Sequence, residues 1–450
     1  MTNRQFLYAL RRGLGSAIVE LQENPDPKYS EIVLHCCLRN IGFDTQSEGT
    51  KGDYLYTAIC ALGERERFAP ILTEAFQKRL RHDLFIQLAD ILSRYCADGN
   101  QEARAAMQAK MQSLCQALKS RRSLSMLYDE VAQFESLLLR EIDARGWASF
   151  PKCVVRYGEI FLARGAAFAF PDCVLAYYEN TFGEKRVRRY LESASAKGDA
   201  PAAFVARYRQ SAGEREAYHR EAFDPNTTLE KLKSCAEGNS PEGSGAVRMY
   251  ALRFGKRASS PALLRLAQEA LQESNPQMKA ALLLPFAYAD FPPGASALLP
   301  LADCQNETLR SSIFRALERL KHQGVHDLAL RLLREGNVED GLALLKENRQ
   351  EGDEEIIEKI LLSSDRVTHA MQMHLSAIYE QHRSKQCGRI LLHAYQHGSC
   401  SFCRHYLVSA MSKSGVLPEK ILHECQWDSY SETGLWAREQ IAKGATANEF

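Results

Sequence analysis

The sequence contains no run of alternating apolar and polar residues bounded by turn signals, so the period-two pattern that half-buried strands require is missing. It also has no apolar stretch long enough to span a bilayer, because the most apolar segment, 280–301, is interrupted by Pro285, Asp290, Pro292 and Pro293. A membrane partner is therefore not expected. Net charge is nearly absent: 57 Lys and Arg face 56 Asp and Glu. No whole-molecule field favours nucleic acid, and only a local patch can. The first 22 residues lack the continuous apolar core and small-residue cleavage site of an export signal, and read instead as a helical stripe through Phe6, Leu7, Leu10, Leu14, Ile18 and Leu21, interrupted by Arg11 and Arg12.

Enzyme signatures are missing too. HExxH, GxSxG and the kinase motifs do not occur. EGTKGDY (48–54) has the wrong glycine spacing for a phosphate loop and no strand before it, and GLG (13–15) lies inside a helical pattern. In the polar loop GFDTQSEGTKGDYLY (42–56), Asp53 is expected to cap the helix that follows.

What is present is helical spacing nearly throughout, in stretches separated by short Gly, Pro or Asn-Asp punctuation such as CADGNQEAR (96–104) and FPPGAS (291–296). Short connections favour antiparallel neighbours, so the chain reads as all-α. Thirteen cysteines are scattered from Cys36 to Cys425. An odd, dispersed set points to reduced thiols and a cytoplasmic setting. With 45% apolar and 25% charged residues, the composition is globular.

Between 246 and 335 a 31-residue period aligns Arg248, Lys279 and Arg310, then Ala251, Leu282 and Ile313, then Leu252, Leu283 and Phe314. The second helix of each unit aligns Leu266, Ala297 and Leu328, then Ala270, Leu301 and Leu332; Leu391 and Leu422 repeat the spacing. A helix pair of this kind cannot bury its apolar face alone and must stack on its neighbours. NETLRSSIFRALERLKHQGVHDLALRLL (306–333), with Arg310 near the start of its first helix, and DGNQEARAAM (98–107) resemble the HEAT-like repeats of bacterial helical-repeat proteins. The likeness is best over 246–335 and 389–425. It implies an α-solenoid of stacked antiparallel helix pairs with a concave binding surface. AEGNSPEGSG (236–245) divides the chain into an N-terminal helical half, 1–235, and a C-terminal HEAT-like half, 246–450.

The functional expectation is a non-enzymatic scaffold that binds a protein or peptide on the concave surface. Its rival is a nucleic-acid binder. Lys185, Arg186, Arg188, Arg189, Arg207 and Arg209 lie among Tyr177, Tyr178 and Tyr190, and arginine alternating with tyrosine can hold phosphates and stack bases. The bland reading is a solvated helix face. HEAT-like DNA glycosylases place aromatic residues and a carboxylate on the concave face; Trp427–Asp428 is the only pair here that evokes such a site, and no residue role is carried over to it.

One segment raises a metal question. HAYQHGSCSFCRHYL (393–407) holds His393 and His397 at helical spacing, followed by Cys400 and Cys403, a zinc-type donor set that His405, His423 or Cys425 could complete. The competing reading is a helix–turn–helix joint, with Gly398 ending one helix, Ser399 or Ser401 capping the next, and Cys403, Leu407 and Ala410 on a buried stripe. The second CxxC of a strong zinc signature is missing, which favours the joint. Zinc is the only cofactor the sequence raises.

Overall fold

The computed structural model describes residues 1–120, 123–165, 168–220, 223–238, 245–363 and 366–447. Among them every regular element is helical, and the only strand-like feature is one isolated bridge between Val367 and Gly398. No helix in this set is long and apolar enough to cross a membrane. The chain forms two compact units, Met1–Glu221 with Lys420–Phe450, and Ala222–Glu419.

In the unit Ala222–Glu419 the 31-residue spacing has a structural counterpart. Helices start at Pro276, Glu307, Val338, His369 and Ser401, successive intervals of 31, 31, 31 and 32 residues. The residues before the first four are Asn275, Asn306, Asn337 and Thr368. Asn275, Asn306 and Thr368 each accept a hydrogen bond from a first-turn amide, which satisfies a donor the helix itself cannot. Each of these five helices packs against the next in the series.

Of the aligned positions, Ala251, Leu282 and Ile313 are fully buried, and Leu266, Ala270, Leu283, Phe314, Leu328 and Leu332 are buried to within a few per cent, whereas Leu252, Ala297 and Leu301 are half-buried. Burying one Leu or Ile side chain contributes about 1.5–3 kcal/mol, so these positions supply much of the packing between the helices. Polar bonds lock successive helix pairs: Asn348 donates to the Leu320 carbonyl and accepts from the His322 amide, and buried His326 meets buried Asp353 at 3.0 Å.

In the unit built from the N-terminal half, His82–Ala97 packs on its next and next-but-one neighbours, Gln101–Lys119 and Tyr128–Arg145, whereas Phe150–Arg164 packs on Asp199–Arg220, with two helices intervening in the chain. The N-terminal stripe, interrupted in the sequence at Arg11 and Arg12, is carried by two helices: Asn3–Arg12 ends at Gly13, whose φ of 71° is the left-handed conformation, and a second helix runs Gly15–Glu23. Gly13 and Gly15 also admit a close approach. The Ser429 amide donates to the Gly13 carbonyl at 2.9 Å, and a Cβ at Gly15 would sit 1.7 Å from the Glu424 carbonyl oxygen. The chain's last helices are thereby seated on its first.

One sequence expectation is corrected: Asp53 is not a cap. The helix Gly52–Leu62 has Lys51 at its N-cap position, and Asp53 pairs with Arg94 on the surface. The loop before it is held by a buried ion pair, Lys51 Nζ to Glu48 Oε1 at 2.9 Å, with Lys51 also donating to the Ile41 carbonyl. Glu48 Oε1 further accepts the Phe43 amide.

Candidate functional site

Three places carry chemistry-bearing side chains. The first is a cavity of about 610 Å³ in the N-terminal unit, lined by Arg104, Met107 and Met111 from Gln101–Lys119, Leu137, Arg140, Glu141 and Arg145 from Tyr128–Arg145, and Lys152 and Arg156 from Phe150–Arg164. Five cations face one carboxylate on its wall. Two of them are spent on internal pairs, Arg140 with Asp90 at 2.6 Å and Arg156 with Glu141. Arg104 donates to the Cys96 carbonyl at 3.2 Å, and Arg145 stands 3.8 Å from Glu141. Lys152 is exposed and pairs with no carboxylate among the described residues. Arg104, Arg145 and Lys152 thus keep positive charge available beside the apolar Met107, Met111 and Leu137.

The sequence did not single out this cavity. Its residues come from four helices, three of which contribute one or two cations each, and only packing assembles them. The local excess of Lys and Arg beyond Arg140 was the one available signal.

The basic segment is placed differently. On the helix Glu184–Ala194, Val187, Leu191 and Ala194 are buried at i, i+4 and i+7, which turns Lys185, Arg186, Arg188 and Arg189 to the exposed side. Among the described residues none of these four pairs with a carboxylate. Arg186 lies over the Trp147 ring at 4.3 Å and Lys197 over the Tyr190 ring at 4.3 Å, so the aromatic faces nearest the patch are already covered by cations. Tyr177 donates to Asp143, and Tyr178 is buried. Arg207 and Arg209 belong to the helix Asp199–Arg220. Arg207 is half-buried and donates to the Phe168 carbonyl and Gln210, whereas Arg209 is exposed.

The third place is the His/Cys turn in the other unit. Gly388–His397 ends at His397, and Ser401–Lys413 begins three residues after Gly398. Cys400, rather than Ser399 or Ser401, occupies the N-cap position. Cys403, Leu407 and Ala410 are buried on one stripe. His393 and His397 stack on each other with ring centres 4.3 Å apart. The residue brought to the two thiols is instead His369, the first of the helix His369–Gln381. Donor atoms of His369, Cys400 and Cys403 all lie within 4.8 Å of one another, and Cys403 Sγ is 3.3 Å from His369 Nδ1.

Gln372, one turn after His369 and fully buried, fixes that arrangement. Its Oε1 accepts the Cys400 amide at 3.2 Å and its Nε2 donates to the Cys400 carbonyl at 3.4 Å. Gly398 has an ordinary φ of −73°, so it is not needed for a left-handed turn. It is needed for space, because a Cβ there would lie 2.0 Å from Gln372 Nε2 and 2.7 Å from the Ala394 carbonyl oxygen.

Trp427–Asp428 forms an ordinary turn in which Asp428 Oδ1 accepts the Tyr430 amide at 2.9 Å. No family model matches this chain, and neither a curated protein nor a solved structure is found to be similar to it.

Proposed function

We propose that the protein is a non-enzymatic, cytoplasmic interaction scaffold of the HEAT-like solenoid kind, and that it binds an acidic protein or peptide segment in the cationic cavity of its N-terminal unit. The recurring helix starts at 31-residue intervals support the architecture. The observation that carries the binding reading is the wall on which Arg104, Arg145 and Lys152 flank Met107, Met111 and Leu137. Arginine and methionine are over-represented at protein-binding surfaces, where the one supplies forked hydrogen bonds and the other adaptable apolar contact. An acidic segment carrying a few large apolar side chains satisfies both at once.

The exposed cations of Glu184–Ala194 support a second reading, nucleic-acid binding through Lys185, Arg186, Arg188 and Arg189. Phosphate contact suits that face, but base stacking on Trp147 or Tyr190 requires Arg186 or Lys197 to move away first. Arg207, held by the Phe168 carbonyl in the segment before Asp172–Phe182, does not extend the face. A glycosylase-like activity draws no support from Asp428, whose carboxylate is used in a turn.

Fluorescence anisotropy with a labelled acidic, leucine-bearing peptide and with single- and double-stranded DNA tests the choice. The peptide is expected to bind, and Lys152→Glu with Arg104→Glu to weaken it at least about tenfold, since a close interfacial charge pair carries on the order of 1.5 kcal/mol or more. Binding of DNA alone, lost on Lys185→Glu with Arg189→Glu, contradicts the peptide reading.

A further inference from the structure

We propose that His369, Cys400 and Cys403 form a binding site for a thiophilic divalent cation, with zinc as the ion whose chemistry they match. Two cysteines and an imidazole are a zinc-type donor set. Around a tetrahedral zinc ion, bonds of about 2.0–2.3 Å put neighbouring donors roughly 3.5–3.8 Å apart. The three donors here lie within 4.8 Å of one another and the His369 Nδ1 to Cys403 Sγ edge is 3.3 Å, so closing on an ion takes side-chain rotation rather than movement of helices.

Buried cysteines commonly act as small apolar fillers. Three observations separate this pair from the others in the chain. An imidazole nitrogen points at the thiols, although a purely apolar packing role would put a hydrocarbon there. Cys400 at the N-cap and Cys403 one turn later stand at the same end of Ser401–Lys413, so one helix start presents both thiols to the His369 ring. The backbone of Cys400 is clamped from both sides by buried Gln372, itself one turn from His369, so one helix supplies a ligand and fixes the position of a second. Such supporting bonds are what metal ligands need to hold their geometry.

His369 Nδ1 would bind the ion, leaving the ring proton on Nε2. Each cysteine gives up its thiol proton to solvent on binding, so two protons leave as one dication enters and affinity rises with pH. A fourth donor would complete the tetrahedron. His369 opens one helix of the series and Cys400 caps the next, so the ion ties two successive helices of the series together.

The test is cobalt(II) titration of the reduced full-length chain, followed by zinc displacement and metal analysis. One equivalent of cobalt with a thiolate charge-transfer band is expected, displaced by zinc. The band disappears in Cys400→Ser and Cys403→Ser, and cobalt binds at least about tenfold more weakly in His369→Gln, which replaces a half-buried ring. His393→Ala with His397→Ala leaves it unchanged. Thermal unfolding of each variant without metal reports folding separately, and zinc is expected to raise the unfolding temperature of the wild type but not of Cys403→Ser. The proposal is overturned by absence of the band in the folded wild type, by its persistence in Cys403→Ser, by its loss in the His393/His397 variant, or by a Cys400–Cys403 disulfide that re-forms in place of metal binding.

Discussion

Gln372 holds Cys400 by both of its backbone polar groups, accepting the amide at 3.2 Å and donating to the carbonyl at 3.4 Å across 28 residues of chain. Because the glutamine is fully buried, water cannot replace either bond. The contact joins the start of one helix to the start of the next in the series and decides where the Cys400 side chain stands.

Gln372→Leu is therefore expected to destabilise the unit Ala222–Glu419 by roughly 1–3 kcal/mol for each backbone group left unpaired. Gly398→Ala is expected to cost a similar amount by displacing the same amide. Urea denaturation followed by circular dichroism measures both. Midpoints equal to the wild type would show that the clamp is dispensable.

The buried pair Lys51–Glu48 makes a second prediction. Lys51→Met leaves the Glu48 carboxylate buried without its cation and is expected to cost about 3–5 kcal/mol, whereas the double change Lys51→Met, Glu48→Leu recovers part of that loss. A double-mutant cycle reads the coupling, and simple additivity contradicts the account.

Glu318 supplies the pH dependence. Burial pushes its carboxyl up from 4.5 to about 6, against the opposing pull of Arg315 and Lys346. A raised carboxyl binds its proton more tightly in the folded state, so its contribution to stability is full below pH 4.5 and is lost as pH rises through about 6. Relative to Glu318→Gln, the wild type is expected to lose up to about 2 kcal/mol across that window. Parallel stability curves for the two proteins would remove the effect.

The all-helical class and the buried columns around Ala251, Leu282 and Ile313 were legible because apolar spacing reports burial directly. The same spacing continues to Val338, His369 and Ser401, where it was harder to see because the capping residue changes from Asn to Thr to Cys and the second helices vary in length. His369 was missed as a partner of Cys400 and Cys403 for that reason. Sequence proximity pointed to His393 and His397, whereas stacking brings together residues one interval apart. The return of 420–450 to the N-terminal segment depends on close approach at Gly13 and Gly15, which carries no periodic signal. The cationic cavity was equally hidden, since its charges are dilute along the chain and concentrated only by packing.

Ile313→Ala tests the column itself. Its side chain is fully buried between stacked helices, and its truncation is expected to cost about 2–5 kcal/mol, against less than about 1 kcal/mol for an alanine at exposed Arg319. Comparable small losses at both positions in thermal unfolding would argue against a continuous core through these units.

The central claim is that the N-terminal unit receives an acidic partner between Arg104, Arg145 and Lys152. Hydrogen–deuterium exchange with and without the acidic, leucine-bearing peptide tests it most directly, because protection maps contact to individual helices. The account predicts slowed exchange over 93–112 and 137–156, diminished in the Arg104→Glu, Lys152→Glu variant. Protection confined to 184–194, or none at peptide concentrations that saturate anisotropy, would contradict it.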